Sequence, residues 1–154
     1  MISHKHKAVF VHVPKAAGQS VEQAFLDDLG LDWEERAPLV MSYNDDPTKG
    51  PQRLAHLYAD EYVKYGYLTQ EQFDSYYKFA IVRDPVDRLL SEYRYRDYSQ
   101  TGPFWWFLRR PWREEYTDRA RHMVPQTRYL YDQAGTCLVD RIVRFEHMQT
   151  EMPE

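Results

Sequence analysis

An apolar run that stops at a proline is the feature of this sequence that most constrains its fold. Residues 8–13 are mostly apolar and predict a buried strand, Pro14 ends it, and a helical pattern begins at Val21. Lys15 and several small residues occupy the turn between the strand and the helix. Such a turn leaves backbone N–H groups free at the start of the helix, where they can bind an anion.

A phosphate or sulfate group is the ligand that this turn predicts. Small residues let an anion approach the backbone closely, and Lys15 adds a full positive charge at the rim. The alternative is an ordinary strand–turn–helix junction with a surface lysine, because short glycine-containing turns are weak motifs.

A second apolar strand leads into a helix later in the chain. Residues 79–82 predict the strand, Asp84 is a good N-cap, and Pro85 fits the first helical position. Arg83 leaves the strand on the side of Ser91, two turns along the helix, so this pair can hold another anion. The spacing also predicts an apolar stripe that packs on the core, formed by Val86, Leu89, Leu90 and Tyr93.

Strands that alternate with helices predict a three-layer, P-loop-like α/β fold with a mostly parallel central sheet flanked by helices. Further strands are predicted at residues 141–145 and 39–42, and an aromatic stripe within residues 53–65 is interpreted as core packing. The aromatic segment 104–108 is interpreted as a plug of the core, with a partner interface or a wall for a sugar ring or an apolar acceptor as the alternatives. Two anion sites at the carboxyl ends of strands suit a ligand with phosphates at both ends of a nucleoside.

Together the two motifs resemble the signature of sulfotransferases that use 3′-phosphoadenosine 5′-phosphosulfate (PAPS). The likeness is to the carbohydrate branch, which includes heparan sulfate 2-O-sulfotransferases and uronyl sulfotransferases, and it extends over residues 8–147. The resemblance implies that the first turn holds the 5′-phosphosulfate and that Arg83 and Ser91 hold the 3′-phosphate. The residues that it places around the 5′-phosphosulfate are Lys15, Ala17, Gly18, Gln19 and Ser20.

Two positions depart from the family pattern. Ala16 stands where the family usually has threonine, so one hydroxyl contact to the donor is missing, and Gln19 replaces a residue that is commonly threonine or serine. Members of the family usually continue with further helix beyond the last strand, whereas this chain ends at Glu154. We therefore expect one domain over residues 1–154 that is short at its C-terminus.

A histidine between the two motifs is the candidate general base. The resemblance implies that His56 takes the proton of the acceptor hydroxyl, a role that suits imidazole because it titrates near neutral pH. The alternative is a structural histidine, with His122 or Glu22 as the base. His12, which lies in the first strand, is interpreted as structural.

These observations predict transfer of a sulfuryl group from PAPS to a hydroxyl of a carbohydrate-like or small alcohol acceptor. Lys15 and His56 are the predicted catalytic residues, and no metal is expected because Lys15 and the backbone dipoles supply the positive field. One alternative is a P-loop-type kinase, although here the lysine precedes the glycine of the turn. The other is a protein that binds the nucleotide and transfers nothing.

Composition limits the partners and the compartment that we expect. A net charge of −4 argues against a nucleic-acid-binding surface, and no run is long and apolar enough for a membrane span or a signal peptide. Cys137 is the single cysteine, which excludes an intramolecular disulfide and fits a reducing compartment. We expect a cytoplasmic protein.

Overall fold

A four-stranded sheet forms the centre of the protein, whose computed structural model describes residues 1–109 and 117–152. The strands lie in the order β1-β2-β3-β4, with β1 antiparallel to β2 and the other neighbours parallel. Their bounds are Ile2–Ser3 for β1, Ala8–Val11 for β2, Tyr77–Val82 for β3 and Arg141–Arg144 for β4.

Apolar side chains of β2 and β3 make the core. All of β2 is buried, and Phe10 lies opposite Phe79 in the parallel ladder with 5.1 Å between their ring centroids. Such continuous burial is typical of parallel strands that are covered on both faces. Ile2 and Ser3 form a strand that the sequence did not predict, because a two-residue strand is too short to show any periodicity.

Short helices and 3₁₀ turns connect the strands. The prediction of an α/β fold with a mostly parallel sheet flanked by helices is confirmed, while the P-loop-like detail stays a prediction. None of the described helices is both long and apolar enough to cross a membrane. The described helices are α1 Gly18–Leu29, α2 Glu61–Lys64, α3 Gln70–Ser75, α4 Pro85–Tyr95, α5 Phe104–Leu108, α6 Asp118–Met123, α7 Thr127–Leu130 and α8 Met148–Glu151.

Local sequence signals fix the start of α4. The Asp84 carboxylate accepts hydrogen bonds from the backbone N–H groups of Val86 (2.9 Å) and Asp87 (3.0 Å), and Pro85 occupies the first helical position. The cap predicted from the sequence is therefore confirmed, and it places α4 directly after the carboxyl end of β3.

The face that α4 buries differs from the prediction. Val86 is 62% exposed, and Leu89, Leu90 and Tyr93 are only partly buried, so the predicted apolar core stripe is wrong. The described structure instead buries Arg88 and Glu92 on this helix. The physical reason is that the inner face of α4 covers loops with free carbonyl groups, which need hydrogen-bond donors.

Three other segments were predicted with mixed success. Residues 39–42 are not a strand: Ala37–Leu39 is a 3₁₀ turn and Val40 follows in the left-handed region, at φ 58°. Within residues 53–65, Tyr58 and Tyr62 are buried as predicted, and the segment consists of a 3₁₀ turn followed by α2. In α5, Phe107 is buried against the rings of Tyr93 and Tyr98 and not in the central core, whereas Trp105 and Trp106 are exposed.

Arg88 ties α4 to two other segments. Its guanidinium donates hydrogen bonds to the carbonyl oxygens of Pro14 (3.0 Å), Val124 (3.1 Å) and His122 (2.7 Å). A buried cation that satisfies three carbonyl groups joins the turn after β2 to the end of α6.

We predict that Arg88→Met lowers the free energy of unfolding by about 3 kcal/mol, because buried carbonyl groups lose a charged donor. Urea unfolding followed by circular dichroism measures the change. Arg94→Met is the matched control, since Arg94 is an exposed arginine on the same helix. Equal stability of the two variants would contradict the role assigned to Arg88.

Candidate functional site

A cavity of about 220 Å³ opens at the carboxyl ends of β2 and β3. It brings together every site residue that the sequence predicted, from both motifs and from the segment between them. Sequence separation between them reaches 76 residues from Lys15 to Ser91, so the fold and not the local sequence creates the site. The predicted residues that line the cavity are Lys15, Ala17, Gly18, Gln19, Ser20, His56, Arg83 and Ser91.

The turn before α1 has an unusual backbone. Lys15 and Ala17 both lie in the left-handed region, at φ 68° and φ 61°, which is uncommon for residues with a Cβ atom. Ala17 is the N-cap of α1 and has no side chain that could cap the helix. Left-handed residues alternating with ordinary ones are the arrangement in which successive N–H groups form an anion-binding concavity. The backbone of this turn is therefore suited to bind an anion at the start of α1.

Gly18 is required by its neighbour His12. A Cβ atom on Gly18 would lie 1.9 Å from Nε2 of His12, far inside van der Waals contact. The sequence interpretation attributed the small residues to the approach of a phosphate. In the structure, the glycine also makes room for a buried imidazole beneath the turn.

Lys15 carries a positive charge that lies over an aromatic ring. Its Nζ is 3.7 Å from the ring centroid of Tyr95, which also lines the cavity. Burial lowers the pKa of Lys15, and the Arg83 and Arg96 charges act in the same direction while Glu92 opposes them. An anion in the cavity would relieve this repulsion, because it would bring the negative charge that the cations lack.

Arg83 is held in place at the end of β3. The side chain of Gln126 bonds both to its backbone N–H (3.0 Å) and to its carbonyl oxygen (2.7 Å). The guanidinium packs 4.4 Å from the ring centroid of Phe145 and donates to the carbonyl oxygen of Lys15 at 3.4 Å. Arg83 and Ser91 also line a smaller neighbouring cavity of about 150 Å³. The second predicted anion site therefore adjoins the first.

Neither Lys15 nor Arg83 forms an ion pair with a carboxylate of the described residues. Within residues 1–109 and 117–152, no carboxylate lies within ion-pair distance of either side chain. Partly buried cations with no carboxylate at ion-pair distance favour binding of an anionic ligand.

Behind these cations lie three histidines, each hydrogen-bonded to a carboxylate. The ring of His56 lies between those of His12 and His122, at centroid distances of 4.8 Å and 5.0 Å. Sequence reasoning named His56 and kept His122 as an alternative, but it did not find their partners. The three pairs, all through Nδ1, are His12 with Glu22 (2.7 Å), His56 with Asp118 (2.5 Å) and His122 with Glu92 (2.6 Å).

The histidines differ in their affinity for protons. Burial lowers the pKa of His56 to about 3, and the nearby His12 and His122 act in the same direction against Asp118. Burial also disfavours a charge on His122, but Asp118 and Glu92 together raise its pKa above the ordinary value. Near neutral pH, the cluster therefore holds a neutral His56 beside a His122 that favours the charged form.

A divalent metal is the other ligand that this cluster could hold. Ligand atoms of His56, Asp118 and His122 lie within 4.8 Å of one another. A guanidinium nitrogen of Arg96 already lies 3.4 Å from Asp118 Oδ2, so Arg96 compensates part of the negative charge that a metal would need. That a metal is not needed stays a prediction.

The pKa of His56 makes stability depend on pH. Between pH 6.5 and about 3, His56 is protonated in the unfolded chain but stays neutral in the folded chain. The free energy of unfolding should therefore fall as the pH falls through this range. His56→Gln should flatten the upper part of this slope, above about pH 5.5, where glutamates are almost fully ionised in both the folded and the unfolded chain. Denaturant titrations between about pH 5.5 and 7 measure it, with the exposed His147→Gln as control. An unchanged slope in His56→Gln would contradict the assignment.

Comparison with known proteins agrees with this geometry. The family model described as "Sulfotransferase family" matches residues 1–154, the whole chain. Comparisons with curated proteins and with solved structures gave no match. The heparan sulfate branch stays a prediction. The chain belongs to the sulfotransferase family, whose members transfer sulfuryl groups.

Proposed function

We propose that this protein transfers a sulfuryl group from PAPS to a hydroxyl group of a carbohydrate-like acceptor. The observation that carries the proposal is the pair of partly buried cations without carboxylate partners, Lys15 and Arg83, which line one cavity at the ends of adjacent parallel strands. A donor with anionic groups at both ends supplies the charge that each of them lacks.

The two ends of the donor bind to different parts of the site. The 5′-phosphosulfate lies at the turn before α1, where Lys15, the residues 17–19 and Ser20 surround it. The 3′-phosphate lies between Arg83 and Ser91, next to the smaller cavity. Because Arg83 packs on Phe145 and is bonded at its backbone, this end of the site is formed before the donor arrives.

Transfer exchanges one S–O bond for another. The acceptor oxygen forms a bond to sulfur, the bond from sulfur to the 5′-phosphate oxygen breaks, and the bisphosphate leaves with the electron pair. Lys15 stabilises the negative charge that grows on the leaving oxygen. His56 takes the proton of the hydroxyl group. Burial lowers its pKa, and the negative charges of the donor raise it toward the working range.

An exposed aromatic residue supports the choice of acceptor. Tyr95 is 55% exposed and lines the cavity, and Lys15 covers one face of its ring. The exposed remainder of this side chain is an aromatic surface beside the reacting groups that a sugar ring could contact. Trp105 and Trp106 are exposed as well, although neither of them lines the cavity.

We predict that adenosine 3′,5′-bisphosphate stabilises the protein more than AMP, because AMP lacks the phosphate that binds Arg83. A ligand at about 100 times its Kd should raise the free energy of unfolding by about 2.7 kcal/mol. Calorimetric titration of both nucleotides measures the difference. Arg83→Met should remove the preference, whereas Arg141→Met, an exposed arginine on β4, should keep it. Equal affinities of the wild type for both nucleotides would contradict the assignment of Arg83 and Ser91.

We also predict that Lys15→Ala lowers kcat, because the lost charge acts mainly in the transition state. One such contact contributes about 2.7–4 kcal/mol to the barrier, which is a loss of roughly 100-fold to 1000-fold. Labelled PAPS, tested against a panel of glycans and small alcohols in the presence of EDTA, gives the rate.

Lys49→Ala is the control, since Lys49 is exposed and is not a lining residue of the cavity. Full kcat in Lys15→Ala would contradict the mechanism. Binding of the bisphosphate without transfer to any acceptor of the panel would favour a protein that only binds the nucleotide, and phosphate transfer from ATP with magnesium would favour a kinase.

A further inference from the structure

We infer that Asp118 is a positioning residue that fixes the tautomer of His56. It keeps the proton on Nδ1, so that the unprotonated Nε2 is the nitrogen available to the acceptor. This inference rests on the proposed function for its catalytic meaning, but the tautomer can be measured without any transfer reaction.

Contacts to both of its oxygens hold the Asp118 carboxylate. Oδ1 lies 2.5 Å from Nδ1 of His56, while Oδ2 lies 3.3 Å from Nε2 of His122 and 3.4 Å from a guanidinium nitrogen of Arg96. The side chain is only 17% exposed. A carboxylate held from two sides has little freedom to rotate away from His56.

The charge state of Asp118 determines where the proton of His56 lies. Burial opposes a negative charge, but His122 and His56 together lower the pKa of Asp118, so the carboxylate is ionised near neutral pH. An ionised carboxylate can only accept hydrogen bonds, which makes Nδ1 of the neutral His56 the donor. Among the described residues, none forms a hydrogen bond with the opposite nitrogen, Nε2, and His56 lines the cavity.

A further layer of charged groups supports Asp118. Arg96 donates to Glu92 at 2.5 Å and reaches Asp118 at 3.4 Å, and Glu92 in turn binds His122. The outer groups therefore keep Asp118 charged and fixed. When Nε2 of His56 takes a proton, the adjacent Asp118 stabilises the imidazolium that forms, as an oriented carboxylate does for other catalytic histidines.

Groups from several elements act on the titration of His56. His12 and His122 disfavour its charged form, and Asp118 favours it. Glu22, the partner of His12, also interacts with His56, while Glu92 and Arg96 act through His122 and Asp118. The guanidinium of Arg121 donates to the His56 carbonyl oxygen at 3.1 Å.

The tautomer is tested by NMR of protein labelled with ¹⁵N-histidine. Wild-type His56, assigned by comparison with His56→Gln, should show a protonated Nδ1 and an unprotonated Nε2 near neutral pH. Asp118→Asn keeps the shape but can donate a hydrogen bond to Nδ1, so the proton of His56 should move to Nε2. Asp60→Asn is the matched control: Asp60 is also partly buried and pairs with Arg128 at 3.2 Å, and it should leave the His56 signals unchanged.

Kinetics of the same variants test the catalytic consequence. Asp118→Asn should lower kcat by roughly 100-fold or more, bind adenosine 3′,5′-bisphosphate within about twofold of the wild type, and move the acidic limb of the pH–rate profile to lower pH. Asp118→Glu should restore part of the rate, since it restores the acceptor.

A protonated Nε2 in the wild type, or the same tautomer in wild type and Asp118→Asn, would overturn the inference. So would full kcat in Asp118→Asn. If the wild type transfers nothing to any acceptor, the proposed function fails, while the NMR result still decides whether Asp118 sets the tautomer.

Discussion

One buried guanidinium holds together the parts from which the cavity is built. Arg88 donates to Pro14 in the turn before α1, and to His122 and Val124 at the end of α6. On the inner face of α4, this guanidinium takes the place of the apolar side chains with which a surface helix usually packs on the core. The geometry of the cavity therefore depends on hydrogen bonds to a charge, which are directional, and less on hydrophobic packing, which is not.

Charges in the cavity are divided into compensated and uncompensated groups. The three histidines that line the cavity each have a carboxylate partner, and Arg96 bridges two of these acids, Glu92 and Asp118. Lys15 and Arg83 at the front have no such partner among the described residues. We propose that the uncompensated cations bind the anionic donor while the histidine–carboxylate pairs keep fixed proton positions, since sulfuryl transfer needs both.

The sequence allowed prediction of the features that local chemistry controls. Pro14, the small residues after it and the Asp84–Pro85 cap mark strand ends and helix starts within a few residues, so the α/β fold and the residues that line the cavity could be predicted. The face of α4 that is buried could not be predicted. Periodicity shows that Val86 and Leu90 share a face, but it does not show whether that face or the one with Arg88 turns inward.

Hydrogen-bonded pairs between distant segments could not be predicted from the sequence either. Asp118 and His56 are separated by 62 residues, and nothing in either segment indicates that they meet. The Glu22 partner of His12 would have been easier to find, because the end of a strand and the first turns of the next helix lie close together. Without the structure, His56 is a candidate base with no known environment, and its pKa and tautomer could not be addressed.

We propose that both ends of the donor bind in this cavity. A crystal structure with adenosine 3′,5′-bisphosphate tests this binding mode. We predict the 5′-phosphate at the amides of residues 17–20 beside Lys15, and the 3′-phosphate in contact with Arg83 and Ser91. A nucleotide bound in the reverse direction, or bound outside the cavity, would contradict this assignment of Lys15, Arg83 and Ser91.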